Sequence, residues 1–95
     1  MTFGQALEAL KMGERVARSG WNGKKMWICM TGSSVIPLSA ARTGAASALA
    51  VEAEANGLSE IRINAHIDMR AADGSLTVGW LASQTDMLAD DWFIL

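Results

Sequence analysis

Hydrophobic spacing changes period several times along the chain. Phe3, Ala6, Leu7 and Leu10 recur at three- and four-residue steps, the repeat that gathers side chains on one face of a helix. Thr2 and Gln5 stand at its head as a capping box and Gly13 follows as a left-handed stop, so the pattern predicts a helix from Phe3 to about Met12. Arg15-Val16-Ala17-Arg18 reads as a short strand entering the loop Ser19 to Lys25. Within that loop Asn22-Gly23 is a turn signal, because both residues tolerate positive φ. Met26 to Met30 is apolar at every position, as a strand covered on both faces would be. Thr31-Gly32-Ser33-Ser34 ends it.

Ile61 to Arg70 alternates strictly: Ile61, Ile63, Ala65, Ile67 and Met69 on one side, Arg62, Asn64, His66, Asp68 and Arg70 on the other. This predicts one unbroken strand. Ala71 to Gly74 reads as a hairpin turn, and Ser75 to Trp80 as a returning strand with Leu76, Val78 and Trp80 sharing a face. Trp80 and Trp92 then bracket a short helix expected from Gln84 to Ala89. Ser83 is its N-cap, and Asp86 sits in the first turn where a carboxylate suits the helix dipole. Met87 and Leu88 are expected to press onto the sheet that carries the two tryptophans, and Trp92 to Leu95 forms a last strand.

Between Val35 and Gly57 the pattern is weakest. Eight alanines fall from Ala40 to Ala55, Ser39 or Thr43 offers a cap and Gly57 a stop, while Gly44, Glu52 and Glu54 work against a helix. The expectation is a surface helix within a helical or mobile insertion. The order of elements predicts an α+β fold in a single domain over residues 1–95. It has a mainly antiparallel sheet of about five strands, with an N-terminal helix and a short C-terminal helix against one face.

Composition sharpens this picture. With 51% hydrophobic and 19% charged residues the chain is globular, and at 95 residues its core is small enough that burial shared between copies, as a homo-oligomer, is expected. A net charge of -2 and a pI near 5.2 argue against a nucleic-acid polymer as partner and leave a small anionic ligand open. The lone Cys29, between Ile28 and Met30, reads as a buried thiol in a reducing compartment, so cytoplasm is expected. No charged-then-apolar leader opens the chain and no run of about 18 apolar residues occurs, so neither secretion nor membrane insertion is expected.

The single histidine, His66, has no second histidine or cysteine pair to complete a metal site, and reads as a hydrogen-bonded strand residue. Cys29 lacks a basic neighbour to activate it. No GxSxG, GxGxxG, Walker or HExxH pattern is present. Asp86 reads as a cap, and Asp90 and Asp91 as a solvated helix end. No catalytic residue, metal or cofactor is expected. The informative stretch is Trp21, set in its turn among Arg18, Asn22, Lys24 and Lys25. Such a ring either plugs a hairpin or stacks on a base while the cations meet phosphate.

Two stretches carry a resemblance. Met1-Thr2-Phe3-Gly4-Gln5-Ala6-Leu7-Glu8-Ala9-Leu10-Lys11-Met12-Gly13 with Val16-Ala17-Arg18-Ser19-Gly20-Trp21-Asn22-Gly23-Lys24, and Trp80 through Trp92 at the other end, resemble the second Thoeris anti-defence family of phage and prophage sponge proteins. The match covers roughly the first 30 and last 30 residues; the middle insertion departs from it. The resemblance implies a protein that binds, without cleaving, the glycocyclic ADP-ribose made by bacterial TIR-domain enzymes. It further implies a homotetramer with pockets between protomers, acting in the cytoplasm of the infected host, and some such proteins also capture cyclic dinucleotides of CBASS defence. On this reading Trp21 and Trp80 offer an adenine face and Arg18 and Lys24 meet pyrophosphate. Asn22, Gln84, Thr85 and Asp86 reach ribose hydroxyls, and Phe3 is a further contact. A non-enzymatic accessory that binds another protein through an apolar surface around Trp27 and Trp92 is the other class the residues allow.

Overall fold

The computed structural model describes all residues from Met1 to Leu95. In chain order the elements are α1 (Phe3–Lys11), β1 (Val16–Arg18), β2 (Trp27–Thr31), β3 (Ser34–Pro37), α2 (Gly44–Ala55), β4 (Glu60–Ile63), β5 (His66–Arg70), β6 (Leu76–Thr77), α3 (Gln84–Leu88) and β7 (Trp92–Ile94). Single 3-10 turns at Ser19–Trp21 and Leu38–Ala40 join them. The chain forms two compact units, one from residues 1–31 and 66–95, the other from 32–65.

In the first unit five strands form an antiparallel sheet in the order β6-β5-β2-β1-β7. β2 is central, as its apolar run predicted, with Ile28 buried and Trp27, Cys29 and Met30 half-buried. Val16 lies opposite both Ile28 and Ile94, and Ile28 opposite Met69, so these residues share the face on which α1 packs. The capping box at the head of α1 is formed as expected: Thr2 Oγ1 accepts from the Gln5 N–H at 3.2 Å, and Gln5 Oε1 accepts from the Thr2 N–H at 2.8 Å. Ala6, Ala9 and Leu10 are its buried residues, and the two small side chains let the helix approach the sheet closely. With Val16, Ile28 and Trp92 they make the core, and Phe3, Trp21, Met30, Met69 and Trp80 pack around it.

In the second unit β3 pairs antiparallel with β4, and α2 packs against β4 through the buried Ala50, Ala53 and Ile61. The middle segment is therefore helical, and it carries in addition a strand pair that spacing did not predict. Gly44, read as a weakness inside the helix, is its first residue, with φ of +65°. Thr43 precedes the helix without bonding to it through its side chain.

Four expectations are corrected. Ile61 to Arg70 is not one strand: Ile63 pairs with Ser34 and His66 with Thr31, so the chain changes sheet across Asn64-Ala65. The alternation runs on because a strand keeps its two-residue period whichever sheet it joins, so the period cannot show the change of partner. Met87 and Leu88 do not press onto the sheet but stand 48% and 73% exposed, because the single turn of α3 directs Asp86 and Ala89 inward instead. Leu76 and Val78 are exposed as well, since β6 ends at Thr77 and Gly79, at φ of +85°, turns the chain back. Cys29 is half-buried rather than buried. No helix is long and apolar enough to cross a membrane.

Candidate functional site

The residues singled out at the two ends of the chain converge on one corner of the first unit. Trp92, 2% exposed, is its centre. Around it stand Trp21 at 5.3 Å and 79° between ring planes, Phe3 at 5.5 Å, and Trp80 at 6.2 Å and 81°. Trp21 also meets Trp80 edge-on at 6.5 Å. Edge-to-face contact suits rings whose edges are positive and faces negative, and leaves each half-buried ring with surface to spare. The Trp92 Nε1–H donates to the Asp86 carbonyl at 3.0 Å, tying α3 to the core.

Arg18, the last residue of β1, reaches into the same corner and is held by two carboxylates. Its Nη1 donates to Asp86 at 2.7 Å, and its Nε and Nη2 donate to the two oxygens of Asp91 at 2.8 and 3.4 Å. The Arg18 and Asp86 side chains are each 14% exposed, so the pair is partly shielded from solvent. Burial alone would raise the Asp86 carboxyl, but hydrogen bonds from Arg18, from Ser83 and from the Trp21 side chain outweigh it and hold it below the usual aspartate range. Asp91 is held low chiefly by its hydrogen bond to Arg18, against a smaller opposing effect of burial. The Arg18 guanidinium is raised above its already high value, first by Asp91 and then by Asp86. All three are charged at any physiological pH.

Beside Arg18 lies a cleft of about 290 Å³. Ala17, Met26, Phe93 and Leu95 give it apolar walls, Trp21 one aromatic wall, and Lys24 and Lys25 its cations. Neither lysine forms an ion pair, whereas Arg18 is paired with both Asp86 and Asp91. The loop that presents them turns through Asn22 at φ of +57° and Gly23 at +67°. Lys25 has a positive φ of +60° too, uncommon for a residue with a side chain, and the Arg70 Nη1 donates to its carbonyl at 3.1 Å. The arrangement offers an anion two free ammonium groups over a mostly apolar floor, next to a ring.

Of the residues expected at a site, Arg18, Trp21 and Lys24 line this cleft. Phe3, Trp80 and Asp86 belong to the aromatic corner behind Trp21. Asn22 is exposed at the apex of the turn, and Gln84 and Thr85 are exposed in the first turn of α3. Lys25, read from the sequence as one of the cations around Trp21, lines the cleft as well. Sequence reading missed Phe93 in the cleft and mistook Asp91, taken for a solvated helix end, which is the main partner of Arg18. The spacing of 73 residues between Arg18 and Asp91 leaves no periodic trace. A larger cleft, about 610 Å³, lies in the second unit among Val35, Leu49, Glu52, Leu58, Ile61 and Arg62, and holds none of the expected residues.

The whole chain, residues 1–95, matches the family model of the Tad2-like or Thoeris anti-defense 2-like domain. It is also 37% identical over 95 residues to Thoeris anti-defense 2 of Bacillus phage SP01, an alignment spanning 100% of this chain and 94% of that protein. The capped helix, the Gly20-Trp21-Asn22-Gly23 turn and the Trp80 to Trp92 segment thus have a common explanation: this chain belongs to the Thoeris anti-defense 2-like family.

Proposed function

We propose that this protein is a sponge: it binds glycocyclic ADP-ribose, the signal made by TIR-domain enzymes of Thoeris defence, and withholds it intact from its effector. The observation that carries this reading is the cleft beside Trp21, where two unpaired lysines stand over apolar walls next to a ring whose loop is pinned from behind. Adenine is held by stacking and pyrophosphate by the ammonium groups of Lys24 and Lys25. Arg18 spends three of its N–H donors on Asp86 and Asp91, so its main part is to shape the wall and to hold those two carboxylates. Asn22, Gln84 and Thr85, exposed nearby in sequence to Trp21 and Asp86, are the polar groups for ribose hydroxyls.

At about 290 Å³ the cleft is at the small end for enclosing a ligand of this size. A homotetramer in which a second copy closes the open side supplies the rest, and the exposed Phe93, Ile94 and Leu95 give that copy apolar surface to cover. The protein acts without turnover, in the cytoplasm of the infected bacterium. Its relative's description as an anti-defense protein agrees with this role.

The test is to incubate the protein with glycocyclic ADP-ribose, remove free ligand by filtration, release what is bound by heating, and chromatograph it. Stoichiometric recovery of intact signal is the expected result. Cleaved product would mark a hydrolase. No retained ligand would favour an accessory that binds another protein through its apolar surface. Cyclic dinucleotides run in parallel establish whether CBASS signals share the site.

A further inference from the structure

Trp21, the ring that walls the cleft, and Trp80, the ring it meets edge-on, are held by similar contacts. Each is preceded by a glycine, and the N–H of each glycine is donated to a carboxylate distant in sequence. Gly20 donates to Asp91 Oδ2 at 2.7 Å, and Gly79 donates to Asp68 Oδ1 at 3.0 Å. A further N–H is anchored on each side: that of Trp80 itself donates to the Ile67 carbonyl at 2.6 Å, and that of Asn22, the residue after Trp21, donates to the Ser19 carbonyl at 3.0 Å.

Both carboxylates are themselves fixed. Asp91 is bound by Arg18 through two nitrogens. Asp68, only 5% exposed, accepts from the Thr31 hydroxyl and lies 3.4 Å from His66 Nε2. Burial would raise Asp68, yet the Thr31 hydroxyl and the Gly79 N–H hold it below the usual range, so it stays charged and acts as acceptor. The glycines are required for different reasons. Gly79 adopts φ of +85°. Gly20 must lack a side chain because a Cβ there would lie 2.9 Å from both Arg18 Nη2 and Asp91 Oδ2. A charge-assisted bond to a loop N–H fixes one peptide plane, and thereby the direction in which the next side chain leaves the backbone.

We propose that Asp91 and Asp68 are positioning residues, Asp91 orienting Trp21 and Asp68 orienting Trp80, so that the stacking surface is set before the ligand arrives. This rests on the reading of Trp21 as a ligand contact, with Trp80 as the ring it packs against. Neither carboxylate meets the ligand. Each removes freedom that binding would otherwise have to freeze, which improves affinity without adding a contact.

The indole N–H signals of Trp21, Trp27, Trp80 and Trp92 in a nitrogen-15 correlation spectrum of the free protein test this without any ligand. Asp91→Asn is expected to move or broaden the Trp21 signal and leave those of Trp80 and Trp27, and Asp68→Asn to do the converse. Gly20→Ala, which pushes Asp91 away while keeping every charge, should reproduce the Asp91→Asn spectrum. Equal disturbance of all four indoles, or an unmoved Trp21 in both Asp91→Asn and Gly20→Ala, would overturn the proposal. Calorimetry with glycocyclic ADP-ribose then reads the consequence. Asp91→Asn should weaken binding about threefold to tenfold, the scale of freeing one side chain, and should add nothing in a Trp21→Ala background. A further loss of the same size in that background would also overturn it. Unchanged affinity in Trp21→Ala alone would instead sink the ligand reading, and the indole spectra would then decide the positioning claim by themselves.

Discussion

The two clefts differ in a way that volume does not capture. The one in the second unit is about twice as large, 610 against 290 Å³, but its walls mix the aliphatic Val35, Leu49, Leu58 and Ile61 with Glu52, Glu60 and Arg62, and no aromatic ring lines it. The smaller one has fewer places for a ligand and more reasons to prefer one. Its ring is packed edge-on against Trp80 and Trp92, its loop is hydrogen-bonded to Asp91, and its lysines are left unpaired. Free space is what is left when side chains fail to meet, whereas a recognition site also needs polar groups fixed in place and not already satisfied. Arg18 makes the point inside the site: it is the most constrained cation there and the least available to a ligand, while the solvent-facing Lys24 and Lys25 are the reverse.

The largest effect is expected at Trp92. Trp92→Ala should destabilise the protein by about 3 to 5 kcal/mol, as large aromatic deletions in a core do, and lower the melting temperature sharply. It removes the ring that Phe3, Trp21 and Trp80 share and the indole donor to α3. A drop below about 1 kcal/mol would mean that the corner is not the core of its unit.

Asp86→Asn comes next. In the sequence Asp86 is a helix-cap residue whose loss would cost a few tenths to about 1 kcal/mol. Its 2.7 Å bond to Arg18 raises the expectation to about 1.5 to 3 kcal/mol, the range for a hydrogen bond to a charged group, measured by thermal or denaturant unfolding. Acid should expose the same clamp. Asp68, Asp86 and Asp91 each have a folded value below the unfolded one, so their contribution is complete above the ordinary aspartate value of about 3.9 and is lost as pH falls through the lower folded values. Stability should therefore be flat in these groups from neutrality down to about pH 4 and decline steeply beneath it; a decline centred near pH 6 would point to a different group.

The smallest effect belongs to the larger cleft. Leu49→Ala, at a side chain 44% exposed, should change stability by no more than about 0.5 kcal/mol and leave nucleotide binding unaltered. A clear affinity loss would transfer the site to the second unit.

How much of this was legible depended on how local each interaction is. The Thr2–Gln5 capping box, the Gly13 stop, the Asn22-Gly23 turn and the Ser83 cap are contacts over three or four residues, and all are present in the fold. The central place of β2 was legible from its unbroken apolar run, whose residues Trp27 to Met30 are buried or half-buried. The change of sheet at Asn64-Ala65 was not, since Ile61 to Met69 alternate identically in either sheet. Aromatic residues in turns advertise themselves, so Trp21 and Trp80 were singled out, and the fold brings the two rings into contact. Asp91 was misplaced and the part of Asp68 was not legible, because a carboxylate that serves a backbone N–H 71 or 11 residues away looks like any other polar aspartate. The inward turn of Asp86, which leaves Met87 and Leu88 in solvent, was hidden for the same reason: its partner Arg18 is 68 residues distant.

The central claim is that Trp21 presents a binding face and does not merely fill the corner. Titration calorimetry of wild type and Trp21→Ala with glycocyclic ADP-ribose, at a temperature where melting curves show both fully folded, measures it directly. The wild type is expected to bind, and the variant to lose about 1 to 3 kcal/mol of binding free energy, the worth of one base-stacking ring. Equal affinity in the two proteins, with only the melting temperature of the variant lowered, would show that Trp21 is a packing residue and not a binding face.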